Sequence, residues 1–316
     1  MTRRLARQLA AVALAAALPT ALHAHEGRAL APHDVWSAWT WEPAQVALLA
    51  VAAALYALGT RALWRRAGTG AGVTRGEAAA FALGWVALFV ALVSPVHAMG
   101  EVLLTAHMAQ HELLMAVAAP LLVLGRPLVP ALWAVPQPVR RTAGALSKRP
   151  AVSRSWAWLT RPGPATAVHA VALWAWHVPA LYSAALRSEA LHALQHASFF
   201  GTGLLFWWAV LGHRARKANA GVGVFALFVT MLHTGALGAL LAVADAPWYP
   251  AYVRTAGAWG LTALEDQQLA GLVMWVPAGL SYLVAALWLF TCWLSESGRR
   301  AEARERAGAR VMEVRG

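Results

Sequence analysis

The sequence predicts an all-α fold: a polytopic transmembrane bundle of about seven helices, with the N-terminus outside and the C-terminus inside. Three observations carry that prediction. Of the 316 residues, 59% are hydrophobic and 13% are charged, whereas a soluble domain has roughly 25% charged residues. The apolar residues gather into runs of the length a crossing needs, about 20 residues. Val, Ile and Thr do not alternate as barrel strands require, so the spans satisfy their backbone polar groups as helices. The length would admit two soluble domains, but this many crossings fill one bundle.

Taken in order, residues 1–24 have the layout of a secretory signal peptide. Arg3, Arg4 and Arg7 precede an apolar run over 9–18, then Pro19 and small residues. Cleavage after Ala24 would place Leu22 where a small residue is favoured, so retention as an anchor is the alternative. Residues 25–43 form an external segment. The transmembrane domain covers 44–294, with spans near 44–63, 77–93, 103–124, 165–179, 191–211, 221–243 and 269–293. Between the third and fourth spans, residues 126–161 contain Pro127, Pro130, Pro136, Pro138 and Pro150 and read as a loop along the inner membrane surface, with Trp residues at the interface. The tail, 295–316, is charged and reads as a solvated helix extension or a disordered end. Cys292 is the only cysteine, so neither an intrachain disulfide nor CxxC chemistry is available.

The net charge of +12 would fit a nucleic-acid binder, but the basic residues sit between apolar runs and form no aromatic-interleaved face. They are topology signals, and nucleic acid is excluded as a partner. Residues 61–75, 126–161, 213–217 and the tail from 296 hold twenty Lys and Arg, while the alternate connections hold only Arg28, Arg187 and Arg254. Positive connections stay cytoplasmic, which sets the orientation.

The chemistry-bearing residues are histidines in the external half. His107 and His111 are four apart on the third span, as are His192 and His196 on the fifth, and that spacing puts each pair on one helix face. At about 1.5 Å per residue the first pair lies roughly 9 to 15 Å deep and the second about 6 to 12 Å. Four imidazoles meet if the two helices are neighbours. His177, near the outer end of the fourth span, and His97, in the turn before the third, share the layer. Ionisable groups in a bilayer face the bundle interior, where they bind, relay protons or pair. Two pairs at ligand spacing favour a metal or cofactor over simple interhelical hydrogen bonding.

Four further residues are candidate ligands or supports. Met115, one turn below His111, would add a thioether suited to Cu(I), although a Met at helical spacing also serves packing. Glu112 is costly inside a span unless paired, protonated or orienting an imidazole. Asp266 opens the seventh helix with Met274 two turns below, and its other reading is a helix-start residue favoured by the macrodipole. Outside the bundle, His23, His25, Glu26 and His33 could collect metal.

The stretches Ser94-Pro95-Val96-His97, Ala106-His107-Met108-Ala109-Gln110-His111, Trp176-His177-Val178-Pro179, His192-Ala193-Leu194-Gln195-His196, Tyr249-Pro250-Ala251-Tyr252 and Asp266-Gln267-Gln268-Leu269-Ala270-Gly271, in that order, carry a resemblance. The chain resembles the polytopic CtaG-type cytochrome c oxidase assembly factors from about Ser94 to Trp275. The resemblance implies a multi-pass protein of a bacterial-type inner membrane that helps copper reach the oxidase catalytic subunit, without enzymatic turnover. His107, His111, His177, His192 and His196 stand where the family's histidines stand. The resemblance is weakest before Ser94 and after Trp293, so the N-terminal histidines and the charged tail inherit nothing from it.

The leading expectation is therefore a metallochaperone in which outer-leaflet imidazoles hold Cu(I) from a periplasmic donor. A b-type cytochrome, with one histidine of each pair clamping a haem, is the alternative from electron transfer. A copper or proton transporter is the third reading, with Glu112, His169 and His233 as a deeper path. The fourth is a structural partner of the oxidase whose histidines only bridge helices.

Overall fold

The computed structural model describes residues 30–212 and 220–315, and the regular structure within them is all helical. The signal-peptide reading of 1–24, the collector residues His23, His25 and Glu26, and His213 lie outside the described residues.

Helix α1 (Pro43–Ala67) opens on a proline, whose missing N–H is needed by no helical bond there. A glycine-rich turn leads to α2 (Arg75–Val93), which begins with a reciprocal capping box. Thr74 Oγ1 accepts from the Glu77 N–H, and Glu77 Oε2 accepts from the Thr74 N–H. The expected turn at Ser94 is a short helix, α3 (Pro95–Gly100).

Helix α4 (Leu104–Leu124) is α-helical to Glu112, π-helical over Leu113–Ala118 and α-helical again to Leu124. Pro120 follows the π segment and has no N–H to offer the preceding turn, so the wider winding accommodates the missing bond.

Residues 126–161 are not the expected loop but three helices, α5 (Leu128–Ala134), α6 (Gln137–Ser147) and α7 (Pro150–Leu159). The prolines that suggested a loop stand in first turns, as Pro138 does in α6, Pro150 in α7 and Pro162 in α8 (Pro162–His177). There proline starts a helix instead of breaking one. Helix α9 (Pro179–Arg187) leads into α10 (Glu189–Leu211). Helix α11 (Ala220–Ala242) is followed by 3-10 turns at Pro250–Arg254 and Ala256–Trp259, then by α12 (Ala263–Arg315). The charged tail is thus helical.

Among the described residues, α1, α2, α4, α11 and α12 as far as Arg299 are long and apolar enough to cross a membrane. The two other expected spans fall short for different reasons. Helix α8 has only 16 residues. Helix α10 has 23, but His192, Gln195 and His196 dilute the hydropathy of its outer half.

Helix α4 is the axis of the bundle, with 67% of its span buried against 22% to 44% for the others. Helices α2, α10 and α12 pack on it. Its first turn has no side-chain cap of its own. Asp266 of α12 supplies one across the interface. Its Oδ2 accepts from the Leu104 N–H at 2.7 Å, and its Oδ1 accepts from the Thr105 N–H at 3.0 Å and the Thr105 hydroxyl at 2.7 Å. An acidic side chain is favoured at a helix N-terminus, and here it sets the register of two helices.

Elsewhere small residues let backbones touch. A Cβ on Gly238 would lie 2.7 Å from the Gly271 carbonyl oxygen, and one on Gly271 would lie 2.5 Å from that of Gly238. Close approach of this kind drives helix association where no hydrophobic effect operates. Gly59 does the same for α1 against the Pro130 carbonyl of α5.

Two stability measurements in detergent check these contacts. Asp266→Ala is expected to lower the thermal midpoint, because each N–H left buried and unpaired costs about 1–3 kcal/mol; Asp266→Asn, which keeps one acceptor oxygen, should recover part of the loss. Gly238→Leu should separate α11 from α12 and cost at least about 1–3 kcal/mol as an overpacked contact.

Candidate metal centre

The histidine layer assembles because α4 and α10 are neighbours. The rings of His107 and His111 lie 4.4 Å apart, centroid to centroid, and those of His192 and His196 lie 4.3 Å apart. Across the helix interface His107 is 5.3 Å from His192, and His111 is 5.3 Å from His196. The two four-residue spacings therefore converge on one point. One nitrogen each from His107, His192 and His196 fall within 4.8 Å of one another. His177 stands beside His111 at 6.5 Å, and His97 is 5.7 Å from His192.

Hydrogen bonds settle which nitrogens are available. His107 Nδ1 lies 3.2 Å from the Gly100 carbonyl oxygen and His177 Nδ1 lies 2.7 Å from that of Leu173. A carbonyl only accepts, so both rings donate from Nδ1 and keep a lone pair on Nε2. His97 differs. The Gln110 amide donates to the Ala91 carbonyl and stands 2.8 Å from His97 Nδ1. Nδ1 then accepts, and the His97 proton sits on Nε2, so this ring faces its neighbours as a donor.

Buried nitrogens without partners mark the centre. Among the described residues, His107 Nε2, both nitrogens of His111, His192 Nε2 and His196 Nε2 are buried with no hydrogen bond. Each unmade bond costs about 1–3 kcal/mol, a concentrated penalty that a bound ion would remove. Imidazole nitrogens suit copper, zinc, iron or nickel. A trigonal site with bonds of about 2.0 Å needs nitrogens about 3.5 Å apart, a small closure from the present spacing. His107 and His111 are 0% and 1% exposed, and His192 is the half-buried member through which the layer is reached.

Three tyrosines that sequence reasoning passed over support the layer. Tyr252 donates to the Gly100 carbonyl at 3.1 Å, lies 3.4 Å from His107 Nδ1 and is 2.8 Å from the Tyr182 hydroxyl. Tyr249 donates to the His177 carbonyl at 2.9 Å. Burial pushes the Tyr252 phenol above its ordinary pKa, so it remains a protonated donor. Tyr249 and Tyr252 belong to a matching stretch, but their depth was not legible because they arrive on the connection before α12. Met108 was also missed, and its Sδ stands 3.4 Å from His177 Nε2; its place beside His107 was the available signal.

Of the remaining candidates, Met115 and Met274 share one buried cluster with Met108, Tyr182, Tyr252 and Phe199, and the Phe199 ring is 4.6 Å from that of His111. Glu112 is buried, with Oε2 unpartnered among the described residues. Asp266 has both carboxyl oxygens engaged by α4. His33 is exposed and 3.4 Å from Asp34. His169 lies apart, with Nδ1 3.0 Å from the Thr202 hydroxyl, and His233 is near it on α11.

The family described as "Cytochrome c oxidase caa3 assembly factor" matches residues 54–296. Uncharacterized proteins of Mycobacterium bovis and Mycobacterium tuberculosis are each 26% identical over 287 residues, covering 86% of this chain and 42% of the relative. The chain thus spans about two fifths of the length of the curated relatives it matches. No solved structure matches. The family match covers most of the chain, the whole histidine layer included, and the chain belongs to the cytochrome c oxidase caa3 assembly factor family.

Proposed function

We propose that this protein assists cytochrome c oxidase assembly in a bacterial inner membrane by holding Cu(I) in its histidine layer and passing it to the oxidase catalytic subunit. The carrying observation is the group of unpartnered buried nitrogens on His107, His111, His192 and His196. A bound ion would take up the lone pairs of several of them together.

Copper is cargo in this reading. His107, His192 and His196 form the primary ligand set, with His111 and His177 within reach of an exchanging ion and the Met108 thioether beside them. All these ligands are neutral, so a monovalent soft ion adds only one charge to a region of low dielectric. His192, half-buried, receives the ion from a periplasmic donor. Release is ligand exchange: an acceptor side chain replaces an imidazole, and no electron moves. Asp266, Tyr252 and Gln110 hold the layer in place. The ring contacts of 4.3 to 6.5 Å leave little room for a macrocycle and favour an ion over haem.

Two measurements on purified full-length protein test the reading. Cu(I)-loaded protein should retain copper after gel filtration against a weak chelator. The combined substitution His107→Ala, His111→Ala, His192→Ala and His196→Ala should lose it, and unchanged retention would sink this ligand set. A Soret band in the pure protein would replace copper with haem. Loading should weaken on acidification, because a protonated imidazole cannot ligate.

Tyr252→Phe should weaken Cu(I) binding by about 10–100-fold, the usual effect of losing a group that orients a ligand. A competition titration with a chromogenic Cu(I) chelator reads it. Equal affinities would mean that the Gly100 carbonyl alone holds His107.

A further inference from the structure

The arginine-rich end of α1 and α2 contains a feature that the histidine layer does not use. An open cavity of about 510 Å³ lies there, lined by Thr60, Arg61, Trp64 and Arg65 of α1, Thr69 of the glycine-rich turn and Ala78 of α2. Arg61 and Arg65 are four apart, so two like charges share one helix face, an arrangement that destabilises a helix unless an anion answers it. Neither has an ion pair among the described residues. The nearby acid, Glu77, is already engaged by Arg126 at 3.2 Å and by the Thr74 N–H.

Thr60 is the second, independent observation. It is 7% exposed, and its hydroxyl is buried with no hydrogen-bond partner. A helical threonine in an apolar span normally donates to the carbonyl four residues back. Thr202, Thr230 and Thr234 all do so here, at 2.7 to 2.8 Å. Thr60, which lines the cavity, does not, and neither does Thr166 of α8. The other polar groups are committed: the Tyr56 hydroxyl donates to the Gly125 carbonyl at 2.8 Å, and Trp64 Nε1 donates to that of Val73 at 2.8 Å.

Two guanidinium groups and a free hydroxyl around an open cavity describe a receptor for a phosphate ester. The placement selects its source. The twenty Lys and Arg of the inner connections put this end at the cytoplasmic face, where anionic headgroups accumulate. Just above it α1 presents apolar surface, with Leu58 40% exposed. We propose that this cavity binds the phosphodiester headgroup of one anionic phospholipid, with Arg61 and Arg65 on the phosphate, Thr60 on an ester oxygen and the acyl chains along α1.

Native mass spectrometry of the full-length protein tests this, with phosphatidylglycerol, phosphatidylcholine and inorganic phosphate as separate probes. One phosphatidylglycerol should survive activation that strips phosphatidylcholine. Arg61→Ala combined with Arg65→Ala should cut its retention by about tenfold or more, Arg61→Lys with Arg65→Lys should keep most of it, and Thr60→Val should reduce it by a smaller factor. Equal retention of the two lipids overturns the proposal, as does undiminished phosphatidylglycerol in the double alanine variant. Displacement of phosphatidylglycerol by millimolar inorganic phosphate would assign the cavity to a soluble phosphate and overturn the lipid reading. Because the Lys variant preserves charge and helix propensity, lipid kept there and lost in the alanine variant separates headgroup charge from a folding defect.

Discussion

The carboxyl group of Asp266 ties the outer end of the bundle together. It closes the N-terminus of α4 from a neighbouring helix, and that helix carries His107 and His111. Without it the first turn of α4 would leave N–H groups unpaired at a depth where water does not satisfy them. The same contact fixes how far α12 is displaced along α4, and so where the connection bearing Tyr249 and Tyr252 meets the histidines. The neighbouring glutamine extends the clamp, since Gln267 Oε1 accepts from the Trp248 N–H at 2.6 Å. A short acidic and amide run at the head of α12 thus organises two helices and a connection at once.

Helix α4 bears an unusual load for a transmembrane segment. It carries Gln110, Glu112 and both histidines, and it is the most enclosed of the spans. These two properties belong together. Polar side chains cannot face lipid cheaply, so the helix that holds them must be surrounded by protein. The surrounding helices take up its termini and its amide: Asp266 caps its start, Gln110 anchors on Ala91 of α2, and Trp207 of α10 donates to the Met115 carbonyl within the π segment at 2.7 Å. What they leave unsatisfied, among the described residues, are imidazole nitrogens together with Gln110 Oε1 and Glu112 Oε2. A π segment directly after the histidines fits the general association of such bulges with functional sites.

The prolines and glycines of this chain act in opposite ways. Prolines start α1, α3, α7, α8 and α9, where a missing N–H is harmless. Glycines instead sit where helices touch, at Gly238 against Gly271 and at Gly84 against Leu122. The prolines make a loop-like composition helical, and the glycines let short side chains substitute for a hydrophobic driving force that lipid does not supply.

The helical class and the two histidine pairs were both legible in the chain, because hydropathy and four-residue spacing are local properties. The expectation of a loop over 126–161 failed for a local reason too: proline composition does not distinguish a helix start from a helix break. Convergence of the pairs was conditional on α4 and α10 being neighbours, a long-range fact that no spacing encodes. The role of Asp266 was similarly hidden. On its own helix it reads as a favourable first-turn acid, and only the packing of α12 against α4 turns both its oxygens to another helix. Tyr252 and Met108 reach the layer by the same kind of contact. The chain alone therefore establishes which residues are available and on which helix face they lie. Packing decides which nitrogens remain free, because hydrogen-bond partners come from segments up to 162 residues away.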